Sequence, residues 1–105
     1  MINHPKDVPE KWLYDFCTQW KIHEFALFGS IVHGTVRPDS DVDVLITFKP
    51  EARWGLVAFN EMREQLELAF GRKVHLVSRR GIERSRNSIR RDEILSSAKV
   101  LYAAA

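Results

Sequence analysis

The sequence predicts an α/β (α+β) protein with a small mixed β-sheet of three to four strands and helices packed on it. Short apolar runs that are typical of buried strands occur at residues 25–28 and around 73–77, and a third begins at Val42. Apolar residues with helical spacing occur before, between and after these runs. The chain has 105 residues, of which 45% are hydrophobic and 29% charged, so we expect one domain, residues 1–105, with a modest core.

Each element is predicted from its local pattern. Leu13, Phe16, Cys17 and Trp20 recur at helical spacing, and Pro9 suits a first helical turn, so a helix is predicted over 9–20. The remaining elements are strands at 23–28, 41–48 and 73–77, helices at 54–70 and 88–97, and a short strand at 99–102. We expect Gly71 to cap the long helix and residues 1–7 to be loose. The apolar residues of that helix fall mostly on one face: Leu56, Phe59, Leu66, Ala69 and Phe70.

Composition sets limits on compartment rather than on partners. The net charge of +2 says little about what the chain binds. The only cysteine, Cys17, cannot form an internal disulfide and falls on the apolar face of a helix, which indicates a buried thiol. No stretch is apolar for about 18 residues, and the start of the sequence lacks an apolar signal region. We therefore expect a cytoplasmic protein with no membrane segment.

The stretch from residue 27 to 46 carries the most chemistry. Gly29 directly follows a strand, where it allows a tight turn and a close approach of a ligand to the backbone. Ser30 then opens a short helical segment that Gly34 ends. Unpaired N–H groups and the Ser30 hydroxyl would form a small anion site suited to phosphate. By itself a Gly-Ser pair after an apolar run is typical of a simple turn.

Asp41 and Asp43 are two residues apart, so a strand places both carboxylates on one face. Two neighbouring like charges destabilise a strand, and burying an unpaired charge costs roughly several kcal/mol. A divalent cation would reverse this penalty. Because Mg²⁺ is typically held by one or two carboxylates together with substrate phosphates, the pair indicates a metal and nucleotide site.

Two other interpretations of these aspartates are weaker. An EF-hand loop starting at Asp39 would need Gly at its sixth position and Glu at its twelfth, where this chain has Val44 and Pro50. A solvated edge strand after a turn is also conceivable. The apolar run that follows, residues 44–46, argues against a plain edge strand.

The chain resembles the DNA polymerase β-like nucleotidyltransferase superfamily in the spacing of its motif: Gly29-Ser30, ten further residues and then Asp41-x-Asp43. Gly34 and the run 37–41 also fit the pattern of that superfamily. Within it the chain is similar to the minimal nucleotidyltransferase (MNT) family, over nearly its whole length. The resemblance implies the polymerase β-like fold, with ATP as substrate and Mg²⁺, or alternatively Mn²⁺, as cofactor. It implies nucleotide binding by Gly29, Ser30, Gly34, Asp41 and Asp43, metal binding by Asp41 and Asp43, and catalysis by Asp41, Asp43 and His75.

His75 is the main departure from the family pattern. The third strand of the family normally supplies a third carboxylate, which helps to bind the metal and to deprotonate the attacking hydroxyl. This chain has His75 at that position. Imidazole contributes no negative charge and favours softer metals than Mg²⁺. It can act as a general base near neutral pH. A working substitution and a weakened catalytic centre both remain open.

The resemblance also implies a partner. Small proteins of this family are often antitoxins paired with a helical HEPN-domain toxin, an RNase that some of them silence by adding AMP to a tyrosine. We therefore expect transfer of AMP from ATP to a hydroxyl of a HEPN-domain partner protein. The alternative is a binding module with a weakened site that neutralises its partner by contact. An oligomer of the chain with itself or with the partner is compatible with either.

A basic segment follows the third strand, with Glu83 as its only acid. Its six arginines are Arg79, Arg80, Arg84, Arg86, Arg90 and Arg91. A solvated basic face is one interpretation, and a surface for nucleotide phosphate, RNA or an acidic partner is the other. Aromatic residues are not interleaved with the arginines, which counts against stacking of single-stranded RNA. RNA binding is therefore not favoured.

Overall fold

The computed structural model describes residues 4–29, 32 and 40–104. After a short 3-10 helix, Pro5–Asp7, the elements are α1 (Glu10–Gln19), β1 (Ile22–Phe28), β2 (Val42–Phe48), α2 (Leu56–Phe70), β3 (Val74–Ser78), α3 (Arg79–Glu83), α4 (Ser88–Ser97) and β4 (Lys99–Ala103). Among these residues, no helix has both the length and the apolar composition that crossing a bilayer requires.

The four strands form one mixed sheet in the order β3-β2-β1-β4. β1 pairs antiparallel with β2 and with β4, whereas β2 and β3 are parallel. The parallel pair is joined by α2, as expected because parallel strands need a long crossover connection. In this register Asp43 of β2 lies between Phe28 of β1 and His75 of β3. The predicted mixed sheet with packed helices is confirmed.

Each face of the sheet is covered by a separate hydrophobic cluster. The larger cluster packs α1 and α2 on one face. The smaller cluster packs Ile82 of α3 and Ile94 of α4 against Leu45 and other residues of the opposite face. The run 25–28 of β1 is buried throughout and contributes to both clusters, as its continuous apolar character predicts.

Asp43 and His75 lie on the face that carries the smaller cluster. Alternate residues of a strand share a face, and Leu45 and Val77, each two residues further along, belong to that cluster. Val44, by contrast, points into the larger cluster. Val42 and Val44, on either side of Asp43, thus both face the larger cluster.

Most predicted elements are confirmed within one or two residues. Gly71 caps α2 in the left-handed conformation, with φ 65°, and its N–H donates to the Glu67 carbonyl at 2.8 Å. One detail was wrong. Leu56 was expected on the buried face of α2 but is 84% exposed. The expected Leu66 and Phe70 are buried, together with Met62, whereas the first turn of the helix extends beyond the edge of the core.

Two short helices were not predicted. Residues 5–7 form the 3-10 helix with Pro5 buried, so this part of the expected loose segment is packed. α3 begins where the Ser78 side chain accepts a hydrogen bond from the Gly81 N–H at 3.1 Å. It buries Ile82 against the sheet. Both helices are too short for a periodic sequence signal, so only their caps indicate them.

Candidate active site

The site is centred on a close approach between Gly29 and Asp43. Gly29 follows β1 with φ 74°, in the left-handed region that favours glycine. A Cβ atom at this position would overlap Oδ2 of the Asp43 carboxylate and would lie 3.2 Å from its Cγ. The Gly29 carbonyl accepts a hydrogen bond from the Val32 N–H at 3.0 Å. The turn therefore requires glycine both for its backbone conformation and for room.

Asp41, Asp43 and His75 come together at one end of the sheet. Asp43 and His75 are direct neighbours across the parallel β2–β3 pair. The His75 Nδ1 atom lies 3.2 Å from Oδ1 of Asp43, and its Nε2 atom lies 3.8 Å from Oδ2 of Asp41. The ring is 64% exposed and Asp43 only 22%, so the imidazole forms the outer wall of this cluster.

The surroundings of Asp43 disfavour its ionised form. Burial raises the pKa of the Asp43 carboxyl group, and the charge and hydrogen bond of His75 act in the opposite direction. The negative charge of Asp41 raises this pKa further, whereas Arg90 lowers it. An additional cation between the carboxylates would therefore stabilise the ionised pair.

α4 supplies the second wall of the site. A cleft of about 290 Å³ lies between Gly29, Asp43 and His75 on one side and Arg90 and Glu93 on the other. An adjoining cleft of about 330 Å³ extends along β3, with Asp43, His75 and Arg90 again in its lining. The sequence grouped Arg90 with the basic segment and did not assign it to the site. No local pattern could have done so, because Arg90 reaches Asp43 only through the packing of α4 on the sheet.

Several residues of the predicted phosphate loop lie outside the described residues. They include Ser30 and Gly34 and the run 37–39. The short helical segment expected from residue 31 to 33 falls mostly in the same region. Their part in nucleotide binding stays a prediction.

Asp41 and Asp43 are the described residues at the site that could hold a divalent cation. Both carboxylates lie beside the His75 ring, and the desolvation of Asp43 favours a nearby cation. In the part of the chain that the structure describes, no group of three or more His, Cys, Asp or Glu side chains is arranged to hold a metal by itself. Phosphate oxygens and water complete such a site in Mg²⁺ enzymes.

The arginines of the basic segment do not form one surface. Arg90 lines the clefts at the site, whereas Arg79 and Arg80 line a pocket at the other end of β2 and β3. Arg91 is half-buried, with its Nη1 atom 3.3 Å from the Ser85 carbonyl that accepts its hydrogen bond. The segment is therefore divided between separate environments, and this weakens the interpretation of a continuous basic face.

Two curated proteins resemble part of the chain. A protein adenylyltransferase MntA from Thermococcus cleftensis is 39% identical over 62 residues, which are 59% of this chain and 61% of that protein. A relative from Methanocaldococcus jannaschii is 31% identical over 64 residues, 61% of this chain and 64% of that protein. The aligned part thus spans less than two thirds of each relative.

Solved structures share the fold. A toxin–antitoxin structure with AMP-PNP superposes with a TM-score of 0.69 at 22% identity, covering 98% of this chain and 75% of the other. A complex of tri-AMPylated Shewanella oneidensis HEPN toxin with MNT antitoxin gives a TM-score of 0.62 at 19% identity, with 94% and 73% coverage. These similarities show a common architecture.

The family itself is established by sequence. A family model described as nucleotidyltransferase domain matches residues 10–100, which include every strand from β1 to β3 and all four α-helices. The match contains the Gly29 turn, both aspartates and His75. This chain belongs to the nucleotidyltransferase domain family.

Proposed function

We propose that the chain is a minimal nucleotidyltransferase that transfers AMP from ATP to a hydroxyl group of a partner protein. The observation that carries this proposal is the cluster of Asp41, Asp43 and His75 against the Gly29 turn, at the mouth of a cleft. Family membership supports the reaction class. The relative named protein adenylyltransferase MntA supports a protein acceptor.

On this proposal Asp41 and Asp43 hold Mg²⁺, or Mn²⁺ in its place. A bound divalent cation would neutralise charge on the triphosphate and on the pyrophosphate that leaves. The backbone at Gly29 comes within reach of the phosphates because no side chain covers it. Ser30 and Gly34, from the family pattern, would complete the phosphate loop.

His75 would act as the general base. The acceptor hydroxyl oxygen forms a bond to the α-phosphorus, the bond to the β-phosphate breaks, and the hydroxyl proton passes to the imidazole. Asp43, 3.2 Å from Nδ1, orients the ring, which leaves Nε2 as the proton acceptor. The exposure of the ring, 64%, leaves it accessible to an acceptor that arrives from outside.

Arg90 would bind phosphate oxygens from the α4 side of the cleft. It lines both clefts beside Asp43 and makes no ion pair among the described residues. Arg63, which lines one of the clefts, is instead held by Glu67 at 2.8 Å and Asn60 at 2.7 Å. Arginine is suited to this role because its planar fork matches the geometry of phosphate.

The acceptor would be a HEPN-domain protein, with the chain as its antitoxin. The support is the fold shared with an MNT antitoxin in complex with an AMPylated HEPN toxin, together with the name of the curated relative. A protein acceptor also suits the geometry, since the exposed His75 ring lines both clefts.

The alternative is a binding module with a weakened site, and His75 favours it. The imidazole takes the place of a charged ligand and pairs with Asp43, the more buried carboxylate. Hard Mg²⁺ prefers oxygen ligands, so this exchange weakens metal binding. On this alternative the chain neutralises its partner by contact alone.

The first experiment is calorimetric titration of the protein with ATP, in Mg²⁺ and then in Mn²⁺. We expect metal-dependent binding that is lost in Asp43→Asn and retained in Asp15→Asn. Asp15 is a suitable control because it lies exposed on α1, beside Lys11 at 3.6 Å. Equal ATP affinity in wild type and Asp43→Asn would contradict the nucleotide site.

Transfer of labelled AMP to the co-purified partner then separates the two functions. If the chain is an enzyme, the Asp43→Asn variant should lose transfer but still bind the partner. His75→Asp restores a third carboxylate and should raise transfer with Mg²⁺ if His75 limits the reaction. No transfer by the wild type or by His75→Asp, with partner binding intact, would favour the contact module.

A further inference from the structure

A second cavity lies at the opposite end of the sheet from the candidate active site. This distal pocket, of about 500 Å³, is formed by the ends of β2 and β3, the loop at residues 49–55 and α3. Asp43 does not line this pocket, and the nearest lining residue of β2, Ile46, is three residues further along the strand, a distance of roughly 10 Å. A small ligand in the distal pocket would therefore not touch the aspartates.

The lining of the distal pocket is strongly cationic. It contains Lys49, Arg53, Arg79 and Arg80 but a single carboxylate, Glu83. Arg53 donates to two carbonyls of its own loop, at 2.6 and 3.0 Å, so its guanidinium is held in place. The side chains of Lys49 and Arg80 form no ion pair within the described residues. The pocket thus has a fixed excess of positive charge.

The acidic neighbours of Arg79 do not cancel this excess. Its Nη1 atom lies 3.9 Å from Glu24 and its Nε atom 3.7 Å from Glu83, both near the outer limit of an ion pair. Arg79 is 40% exposed and Glu83 56%, so solvent screens the pair. An anion with better geometry would compete for the guanidinium.

Aromatic side chains form another wall. The Trp54 indole N–H donates to the Trp20 carbonyl at 2.6 Å, and the two rings pack edge to face at 5.2 Å. Phe59 packs edge to face against Phe48 at 6.4 Å. Because these contacts fix the rings before any ligand arrives, a planar ligand would lose little affinity to side-chain ordering.

We propose that the distal pocket is a second binding site, for an aromatic anion of the nucleoside phosphate class. The phosphate pairs with Arg80 and Lys49, and the base lies against Trp54 and Phe59. The volume suits a ligand of this size, since small-molecule sites typically have about 300–1,000 Å³. Binding requires no divalent cation, because the pocket supplies its own positive charge.

The test is titration of isotopically labelled Asp43→Asn protein with AMP in EDTA, followed by NMR. We expect saturable shifts of the Trp54 indole and of the Arg79 and Arg80 amides, with the Trp12 indole unchanged. Wild-type protein should give the same shifts under the same conditions, and it provides the test if the Asp43→Asn variant folds poorly. Absence of saturable shifts in both proteins overturns the proposal.

Adenosine and inorganic phosphate serve as half-ligands, and AMP should bind at least about fivefold more tightly than either. Arg80→Ala should weaken the binding of AMP by about fivefold or more. Arg84→Ala, at an exposed position outside the pocket lining, should leave it unchanged. Equal affinity for phosphate and AMP, or equal loss in both variants, would indicate diffuse attraction by positive charge and overturn the proposal. The AMP titration does not depend on metal-dependent ATP binding at Asp43. The proposal for the distal pocket and the proposed transferase function can therefore be refuted independently.

Discussion

Gly29 and Asp43 depend on each other at the residue scale. The left-handed turn at Gly29 directly follows Phe28, the residue of β1 that pairs with Asp43, and the Asp43 carboxylate occupies the room that a side chain at Gly29 would need. The motif residues therefore contribute to structure as well as to the proposed chemistry. A change at one of them alters the position of the other.

Gly29→Ala should destabilise the protein by about 1–3 kcal/mol, because it combines a strained backbone with overlap of the Asp43 carboxylate. It should also abolish ATP binding. Urea unfolding and calorimetry measure the two effects. Gly55→Ala, at the N-cap of α2, is the control: its φ of −93° suits any residue and nothing lies within 4 Å of its new Cβ, so stability should change by no more than about 1 kcal/mol. Equal effects in both variants would refute the steric argument.

Cys17 should be inert in the folded protein. It is 0% exposed, and burial raises the pKa of its thiol to about 12. At pH 8 we expect a disulfide reagent to label it at least roughly 100-fold more slowly than in urea. Fast labelling without denaturant would contradict the burial.

The raised pKa of the Cys17 thiol also determines whether the free energy of unfolding rises or falls with pH. The folded pKa lies above the unfolded value of about 8.5, so the unfolded state loses its proton first. The free energy of unfolding should therefore fall between pH 7 and 10 by up to about 2 kcal/mol more in wild type than in Cys17→Ala. Identical pH profiles would exclude this contribution.

At the scale of elements, α2 shows how packing selects a helix face. Leu66 is fully buried, whereas Leu68, two residues later, is 85% exposed. Residues two apart point in different directions on a helix, so one of these two leucines lies in the core and the other in solvent.

Leu66→Ala should lower the free energy of unfolding by about 2–5 kcal/mol, because it leaves a cavity in the larger cluster. Leu68→Ala removes the same atoms from a solvated position and should change stability by less than about 0.5 kcal/mol. Denaturant unfolding of the pair checks this. A similar loss in both variants would contradict the difference in burial between the two positions, and a larger loss in Leu68→Ala would mean that α2 packs by its other face.

α4 has a double role: Ile94 attaches it to the sheet, and Arg90 lies beside Asp43. Arg90→Ala should weaken metal-dependent ATP binding about 5–20-fold, since a charge-assisted contact to phosphate is lost. Arg86→Ala, at an exposed position outside both clefts, is the control. An unchanged ATP affinity in Arg90→Ala would remove this residue from the proposed site.

At the scale of the molecule, one sheet joins two hydrophobic clusters. β1 contributes Phe25 and Leu27 to one cluster and Ala26 and Phe28 to the other. Both clusters therefore share one strand. A single cooperative domain over residues 1–105 is therefore expected.

Circular dichroism and tryptophan fluorescence should report one coincident unfolding transition. Trp20 reports the larger cluster, and the helical signal includes α4 on the other face. Ile94→Ala, in the smaller cluster, should shift both curves together. If Ile94→Ala moved the circular dichroism curve alone, α3 and α4 would be a separate unit.

The single-domain prediction and the helix and strand pattern came from local information. Hydrophobic periodicity located α1, α2, α4 and the strands, because each must bury one face or both. Gly71 was identified as a cap because few other residues accept its left-handed conformation. Leu56 was misassigned because periodicity shows which residues share a face and cannot show where the core ends.

The amino-acid sequence was enough to predict the fold class and the proximity of Asp41 to Asp43, since alternate residues of a strand share a face. It brought His75 into the site only through resemblance to a family. Tertiary structure alone decided that Arg90 lies beside Asp43 and that Lys49 and Arg80 share the distal pocket. Such groupings join residues distant in sequence, and they depend on strand order and helix docking, which no local pattern encodes.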